Sequence, residues 1–217
     1  MIQTFYAYKD IIKYDSAIRD RIDIIKLILN IFTISFLHKE EMKSGVCIVF
    51  QNDENTNRVF IYENESKQVQ SFHVPFILKD DEIKLENSLF PDSISCEDIS
   101  LLKTFFNSYT EFESCFDIFM EDFLEIFEAN DELKHKENNY WNLILYLLSF
   151  EPGYFRYDND IVGFKEEYPK LHPIQHLDFY YNNRGTFKIG LHKEYKTENL
   201  IDLTAQNTDC KFLDEGN

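Results

Sequence analysis

The stretch Phe155–His192 gathers His172, His176 and His192, three of the six histidines in the chain, with Arg156, Asp158, Asp160, Asp178, Arg184 and Lys188 among them. These side chains are what acid–base chemistry on a phosphodiester needs. One imidazole removes a proton, a second returns one, and a guanidinium or ammonium stabilises the charge that builds on phosphorus-bound oxygen. An ordinary imidazole titrates near physiological pH, so neither histidine needs a special environment to serve. On this reading His172 and His176 act as acid and base. Arg156, Asp158 and Asp178 complete the catalytic set, and Arg184 and Lys188 bind the substrate phosphate.

Spacing narrows the geometry. Arg156 and Asp158 are two residues apart, and so are His176 and Asp178. Side chains two apart on a strand share a face. Asp178 would then orient His176, or the two would join Asp158 of a neighbouring strand as metal ligands. The spacing secures two ligands where a site needs at least three, so neither a metal nor a cofactor is expected. His172-Pro173 also reads as a plain turn, and an Arg–Asp pair on adjacent strands also reads as a structural ion pair. The four cysteines, Cys47, Cys96, Cys115 and Cys210, show no CxxC spacing, which argues against a thiolate zinc site and fits a reducing compartment. No GxGxxG, GxxxxGK[ST] or GxSxG motif is present, so classical nucleotide binding and a serine nucleophile elbow are disfavoured.

The run Arg156-Tyr157-Asp158, followed by His172-Pro173, His176-Leu177 and Lys188-Ile189, resembles the core of small bacterial toxin proteins of the TumE-like kind. It is also similar to a related uncharacterised bacterial family with an HPxxHL pattern. The resemblance spans roughly a fifth of the chain and rests on short motifs. It implies a toxin-like or defence-associated effector, with a metal-independent ribonuclease as the activity. The chain departs from the pattern in three ways. Asp178 stands where a further histidine often sits, the loop before His172 is longer, and the Phe-rich acidic helices lie outside the motif.

The elements that must position these residues follow from hydrophobic periodicity. Ile11, Ile18, Ile22, Ile25 and Leu29 predict a long amphipathic N-terminal helix. Thr33–His38, Val46–Gln51 and Val59–Tyr62 predict strands, with Asn52–Asn57 as a hairpin connection. Val69–Leu78 predicts a fourth strand that Pro75 confines to an edge or a bend. Ser95 and Asp98 cap a helix with Ile99, Leu102 and Phe106 inward, and Thr110 and Glu113 cap the next. That next helix carries a core stripe of Phe112, Phe116, Phe119, Phe123 and Phe127. Tyr140–Phe150 predicts a buried helix ended by Pro152 and Gly153. Tyr154–Asp158 is a short strand, and His176–Tyr181 and Thr186–Leu191 flank Asn182-Asn183-Arg184-Gly185 as a hairpin. The tail after Asp202 is polar and expected to fray. The sum is a single α+β domain over 1–217, with a β section at 33–78, an acidic helical section at 95–150 and a C-terminal strand and hairpin at 154–192. Its antiparallel sheet draws strands from both the N-terminal and C-terminal thirds and packs on the N-terminal helix and the central helices.

Charge separates two surfaces. The chain carries a formal −17, and residues 79–132 hold sixteen Asp or Glu against three Lys. Residues 163–198 hold six Lys or Arg against five acids, so this third is nearly neutral. Free nucleic acid is repelled by such a protein, and RNA could approach only the C-terminal segment. The acidic helices at 95–132 suit a basic protein partner, or imitation of nucleic-acid charge. No apolar run is long enough to span a bilayer and no basic leader precedes an apolar stretch, so a cytoplasmic protein with no membrane partner is expected. Two functions therefore compete: an RNA-cleaving effector working through the His/Arg/Asp cluster, and a non-enzymatic acidic module of a larger bacterial complex.

Overall fold

Alternate residues of Val46–Asp53 (β2) are buried on opposite sides: Ile48 and Phe50 face one way, Cys47 and Val49 the other. A strand apolar on both faces must be covered on both faces. The computed structural model shows how, and it describes residues 2–9, 12, 18, 20–37, 45–53, 56–65, 67–79, 82–85, 93–109, 116–128, 136–182, 185–205 and 207–209. Ile2–Ala7 (β1) and Arg21–Leu37 (α1) precede β2, and Thr56–Tyr62 (β3) and Gln68–His73 (β4) follow it. The chain then leaves the sheet through the hairpin of Phe76–Lys79 (β5) and Glu82–Leu85 (β6). Helices Cys96–Asn107 (α2), Phe116–Glu128 (α3) and Glu137–Ser149 (α4) come next. It returns as Phe155–Asn159 (β7), Gln175–Asn182 (β8) and Gly185–Gly190 (β9), and closes with Thr197–Thr204 (α5).

The main sheet is antiparallel throughout, in the order β1-β2-β3-β4-β7-β8-β9. The fold is thus α+β, with strands from both ends of the chain in one sheet. The helical excursion is inserted between β4 and β7, which lie side by side. One face packs on the helices through Ile48, Phe50, Val59, Ile61 and Phe72. The other face, with Phe60, Val69, Phe155, Tyr157 and Leu177, packs on Leu200 and Ile201 of α5.

Among the described residues, none of the five helices carries a basic residue in its last turn, so their terminal carbonyls need donors from elsewhere. The helix α1 supplies two of them. Arg21 donates from Nη1 to the carbonyls of Leu148 (2.6 Å) and Phe150 (3.0 Å) at the end of α4. Lys26 donates to the Tyr109 carbonyl just beyond α2. At its start, α2 has the predicted capping box, with Asp98 N–H on Ser95 Oγ and Ser95 N–H on Asp98 Oδ2. Tyr140 of α4 donates to the other oxygen of Asp98, so the cap also ties two helices together.

Several expectations are corrected. The N-terminal helix begins at Arg21, and its segment Thr33–Leu37, read as strand, is helical. Burial overrides the β-branched composition there, because α1 is apolar on nearly every face: Ile24, Ile25, Leu27, Ile28, Leu29, Ile31, Phe32 and Ile34 are all buried. The Thr33 hydroxyl is satisfied inside the helix by the Leu29 carbonyl. The run Val69–Leu78 breaks at Val74-Pro75 into β4 and β5, so the bend is the form the proline takes. Sequence reading missed β1, β6 and α5. The N-terminal start Ile11, the stripe residue Phe112 and the cap pair Thr110 and Glu113 lie outside the described residues, as do the side chains of Phe116 and Phe119; Phe123 and Phe127 are core as expected.

Candidate functional site

Antiparallel register lines up two cross-strand rows on the helix-covered face, toward the β9 end of the sheet. The first is Gln70, Arg156, Asp178 and Lys188; the second is Gln68, Asp158, His176 and Gly190. Arg156 and Asp158 share a face of β7, and His176 and Asp178 share a face of β8, as their two-residue spacing requires. Because β4 is β7's neighbour, Gln68 also reaches the site, donating from Nε2 to Asp158 Oδ1 at 3.2 Å. Sequence reading missed Gln68. Its role depends on the crossover that places β4 beside β7, and no local signal marks it.

The charges interlock. Arg156 donates from Nε to Asp158 Oδ2 at 2.7 Å and from Nη2 to Asp178 Oδ2 at 3.0 Å, bridging the two carboxylates. Lys188 Nζ lies 3.3 Å from Asp178 Oδ1 and 3.3 Å from His176 Nε2. Only 17% of the Arg156 side chain, 11% of Asp158 and 15% of Asp178 is exposed. Burial pulls the Arg156 guanidinium down, but the neighbouring Asp158 and Asp178 carboxylates outweigh it and hold its pKa above the ordinary value. Two carboxylates and two cations cancel, so the cluster is neutral when His176 is neutral.

His176 is 1% exposed. Its Nδ1 lies 2.8 Å from the Pro173 carbonyl, which can only accept, so Nδ1 carries a proton and donates it there. Nε2 faces Lys188, with Asp158 Oδ2 at 3.5 Å and Asp178 Oδ1 at 3.8 Å. The orienting group on Nδ1 is therefore a backbone carbonyl, whereas Asp178 was the expected one. The carbonyl reaches it because Gly190 has no side chain. A Cβ at Gly190 would come within 3.0 Å of Pro173 Cγ, so the glycine lets the His172-Pro173 turn fold over His176. His172 packs edge-on against His176, ring centroids 4.9 Å apart, and its buried Nδ1 has no hydrogen-bond partner among the described residues. The 160–174 loop is closed at its base by Asp160 N–H on the Ile174 carbonyl at 2.8 Å. Its tip exposes Ile161, Val162, Tyr168 and Leu171.

Of the sequence-predicted residues, Arg156, Asp158, His172, His176, Asp178 and Lys188 meet in this one cluster. Arg184 lies outside the described residues. Asp158, His176 and Asp178 also each present a ligand atom within 4.8 Å of the others, a spacing that could hold a metal ion. Charge opposes that use. The place between Asp178 and His176 is held by the Lys188 ammonium, and Arg156 spans the two carboxylates, so a divalent ion would have to displace a cation. Thermal melting is therefore expected to be the same with a chelator and with equimolar zinc. A rise of several degrees with zinc would show that Lys188 yields its position to a metal.

On the opposite sheet face, Cys47 is buried among Tyr6 and Tyr62, and burial pushes its thiol up, away from the reactive thiolate. No described helix is long and apolar enough to cross a membrane. Comparison with protein-family models, with curated proteins and with solved structures returns no match for this chain.

Proposed function

We propose that this chain is a non-enzymatic acidic module of a multi-protein bacterial complex, acting in the cytoplasm and docking a basic protein partner through its helical section. The observation that carries this reading is the closed state of the His/Arg/Asp cluster. An acid–base pair must reach its substrate, yet His176 is 1% exposed and both of its nitrogens have partners. A network whose charges cancel internally is what a structural ion-pair cluster looks like.

The acidic surface supports the other half of the reading. Glu121, Leu124, Glu125 and Glu128 line a shallow depression on α3 and are all exposed. They recur at three- and four-residue offsets, so they form one stripe along the helix. Like charges at this spacing destabilise an isolated helix by about 0.2–0.5 kcal/mol per pair. A basic partner would relieve that repulsion, and Leu124 would add an apolar contact at its centre. Carboxylates in such a row are also the form that imitation of nucleic-acid charge would take.

Immobilised protein is expected to capture a basic partner at ~0.05 M salt and release it at ~0.5 M salt, where the Debye length is only a few ångströms. The triple variant Glu121→Lys, Glu125→Lys, Glu128→Lys should capture none of it. Equal capture by that variant would refute the assignment of the face.

The competing proposal is a toxin-like ribonuclease acting at the cluster. It draws on the convergence of His172 and His176, ring centroids 4.9 Å apart, beside Arg156 and Lys188. Purified protein incubated with total RNA decides between them. Cleavage that persists with chelator and disappears in His176→Ala would establish the enzyme and remove the non-enzymatic reading.

A further inference from the structure

The row Arg156–Asp178–Lys188 alternates in sign across three strands and stops at Lys188 on β9, the last strand of the sheet. Lys188 is 34% exposed, against 17% for Arg156 and 15% for Asp178. The adjacent row on the opposite face is Phe155–Phe179–Phe187. Phe155 and Phe179 lie 6.0 Å apart, Phe179 and Phe187 stack at 5.0 Å with planes 9° apart, and exposure rises from 3% at Phe155 to 51% at Phe187. Both rows are regular and both stop at the same place with an unfinished pattern.

The backbone of β9 is open there as well. Leu191 N–H donates to the Gln175 carbonyl at 2.9 Å, which makes Leu191–Gln175 a hydrogen-bonded pair of the β8–β9 ladder. Bonded pairs alternate along an antiparallel ladder. Ile189–Leu177 and Phe187–Phe179 are then bonded pairs, and Lys188–Asp178 is not. The N–H and C=O of Lys188 consequently point away from β8. Among the described residues no strand lies beyond β9 to receive them.

We propose that β9 is a strand-addition edge that takes an extended segment of a protein partner, running antiparallel, with an acidic residue opposite Lys188 followed directly by an aromatic residue opposite Phe187. The acid continues the sign alternation on one face. The aromatic continues the phenylalanine row on the other. The outward Lys188 amide and carbonyl supply a bonded pair to the acidic residue's own backbone. The acid-then-aromatic order follows from the antiparallel direction and is the order of Asp178-Phe179 in β8 itself. A second copy of this chain fits the edge poorly. Symmetric pairing centred on Lys188 sets two ammonium groups opposite each other, pairing centred on Phe187 leaves Lys188 opposite Thr186, and each copy carries −17. This edge does not depend on the α3 stripe, and either can fail alone.

The test uses a fluorescein-labelled peptide with the sequence of Gln175–Asn182, titrated into the intact chain and followed by anisotropy. Saturable binding in the micromolar range is expected. Replacing the peptide's aspartate by lysine should weaken it about fivefold to tenfold, since an attractive cross-strand pair becomes a repulsive one. N-methylation of that aspartate should abolish binding without touching the protein. In the chain, Phe187→Ser should weaken binding severalfold at an exposed position that leaves the core intact. Amide shifts on titration should centre on Thr186–Gly190. The proposal is overturned by no binding up to millimolar peptide, by equal binding of the lysine or N-methyl peptides, or by shifts centred on α3. It is likewise overturned if the chain forms a dimer in solution that Phe187→Ser dissociates, because a second copy would then be the occupant.

Discussion

Arg156→Leu is expected to lower stability by about 3–5 kcal/mol, because it leaves the buried carboxylate of Asp158 and the largely buried one of Asp178 facing each other without the cation that bridges them. At this chain length that corresponds to a fall in melting temperature on the order of 10 °C. Exposed ion pairs contribute far less, commonly about 0–1 kcal/mol. The low exposure of all three side chains, 17%, 11% and 15%, is what moves this cluster out of that class. Lys188 remains beside Asp178, and Gln68 beside Asp158, but neither spans the two oxygens that Arg156 holds. Chemical denaturation of the single variant measures the loss directly. A loss below about 1 kcal/mol would place the cluster with surface pairs and remove the argument that it is structural.

The double variant Arg156→Leu, Asp178→Leu separates the bridge from mere packing. Removing Arg156 alone strands both carboxylates, whereas replacing Arg156 and Asp178 together with apolar groups leaves only Asp158 without its cation. The double variant should therefore be more stable than Arg156→Leu alone. If it is less stable, the two side chains contribute independently, and the cross-strand coupling drawn from their 3.0 Å contact is wrong.

The membership of this cluster was largely readable from spacing, because residues two apart on a strand must share a face. The pairs Arg156/Asp158 and His176/Asp178 needed only that rule and the hairpin signal of 182–185. What the spacing could not show was how the pairs are connected. Arg156 lies across both aspartates, Lys188 completes the row from the third strand, and Gln68 arrives from a strand some ninety positions earlier in the chain. Those links depend on register between strands, which local sequence does not encode. The closure over His176 likewise depends on Gly190, whose missing side chain matters only once Pro173 is known to sit across from it. Exposure was the undecided quantity in the sequence, and it is the quantity that moves the functional reading from catalysis toward structure.

Among the elements, the Ser95–Asp98 capping box and the buried run of α4 were legible in the sequence, and the apolar run at the end of α1 was not. Ser95 and Asp98 located the start of α2, since a capping box is a local motif with one geometry. Three short elements went unseen: β1 and β6 give too little periodicity, and α5 has a polar exterior that resembles a tail. The strand assigned at Thr33–His38 failed because Thr33, Ile34, Ser35 and Phe36 alternate polar and apolar residues, a strand period, although the helix that begins at Arg21 runs on through them to Leu37. The helix α1 is instead the buried centre of the helix layer. Phe32 shows how much depends on it. Its ring is wholly buried and lies 4.9 Å from Phe76 and 6.1 Å from Phe50, so it joins α1 to the main sheet and to the β5–β6 hairpin at once. Phe32→Ala is accordingly expected to cost about 3–5 kcal/mol, the sum of lost transfer energy and a cavity that three separate elements cannot jointly close. Phe32→Leu, which keeps most of the volume, should lose less than half as much. If both variants fall within about 0.5 kcal/mol of the parent in urea denaturation, the packing of Phe32 between α1, the main sheet and the β5–β6 hairpin is overturned.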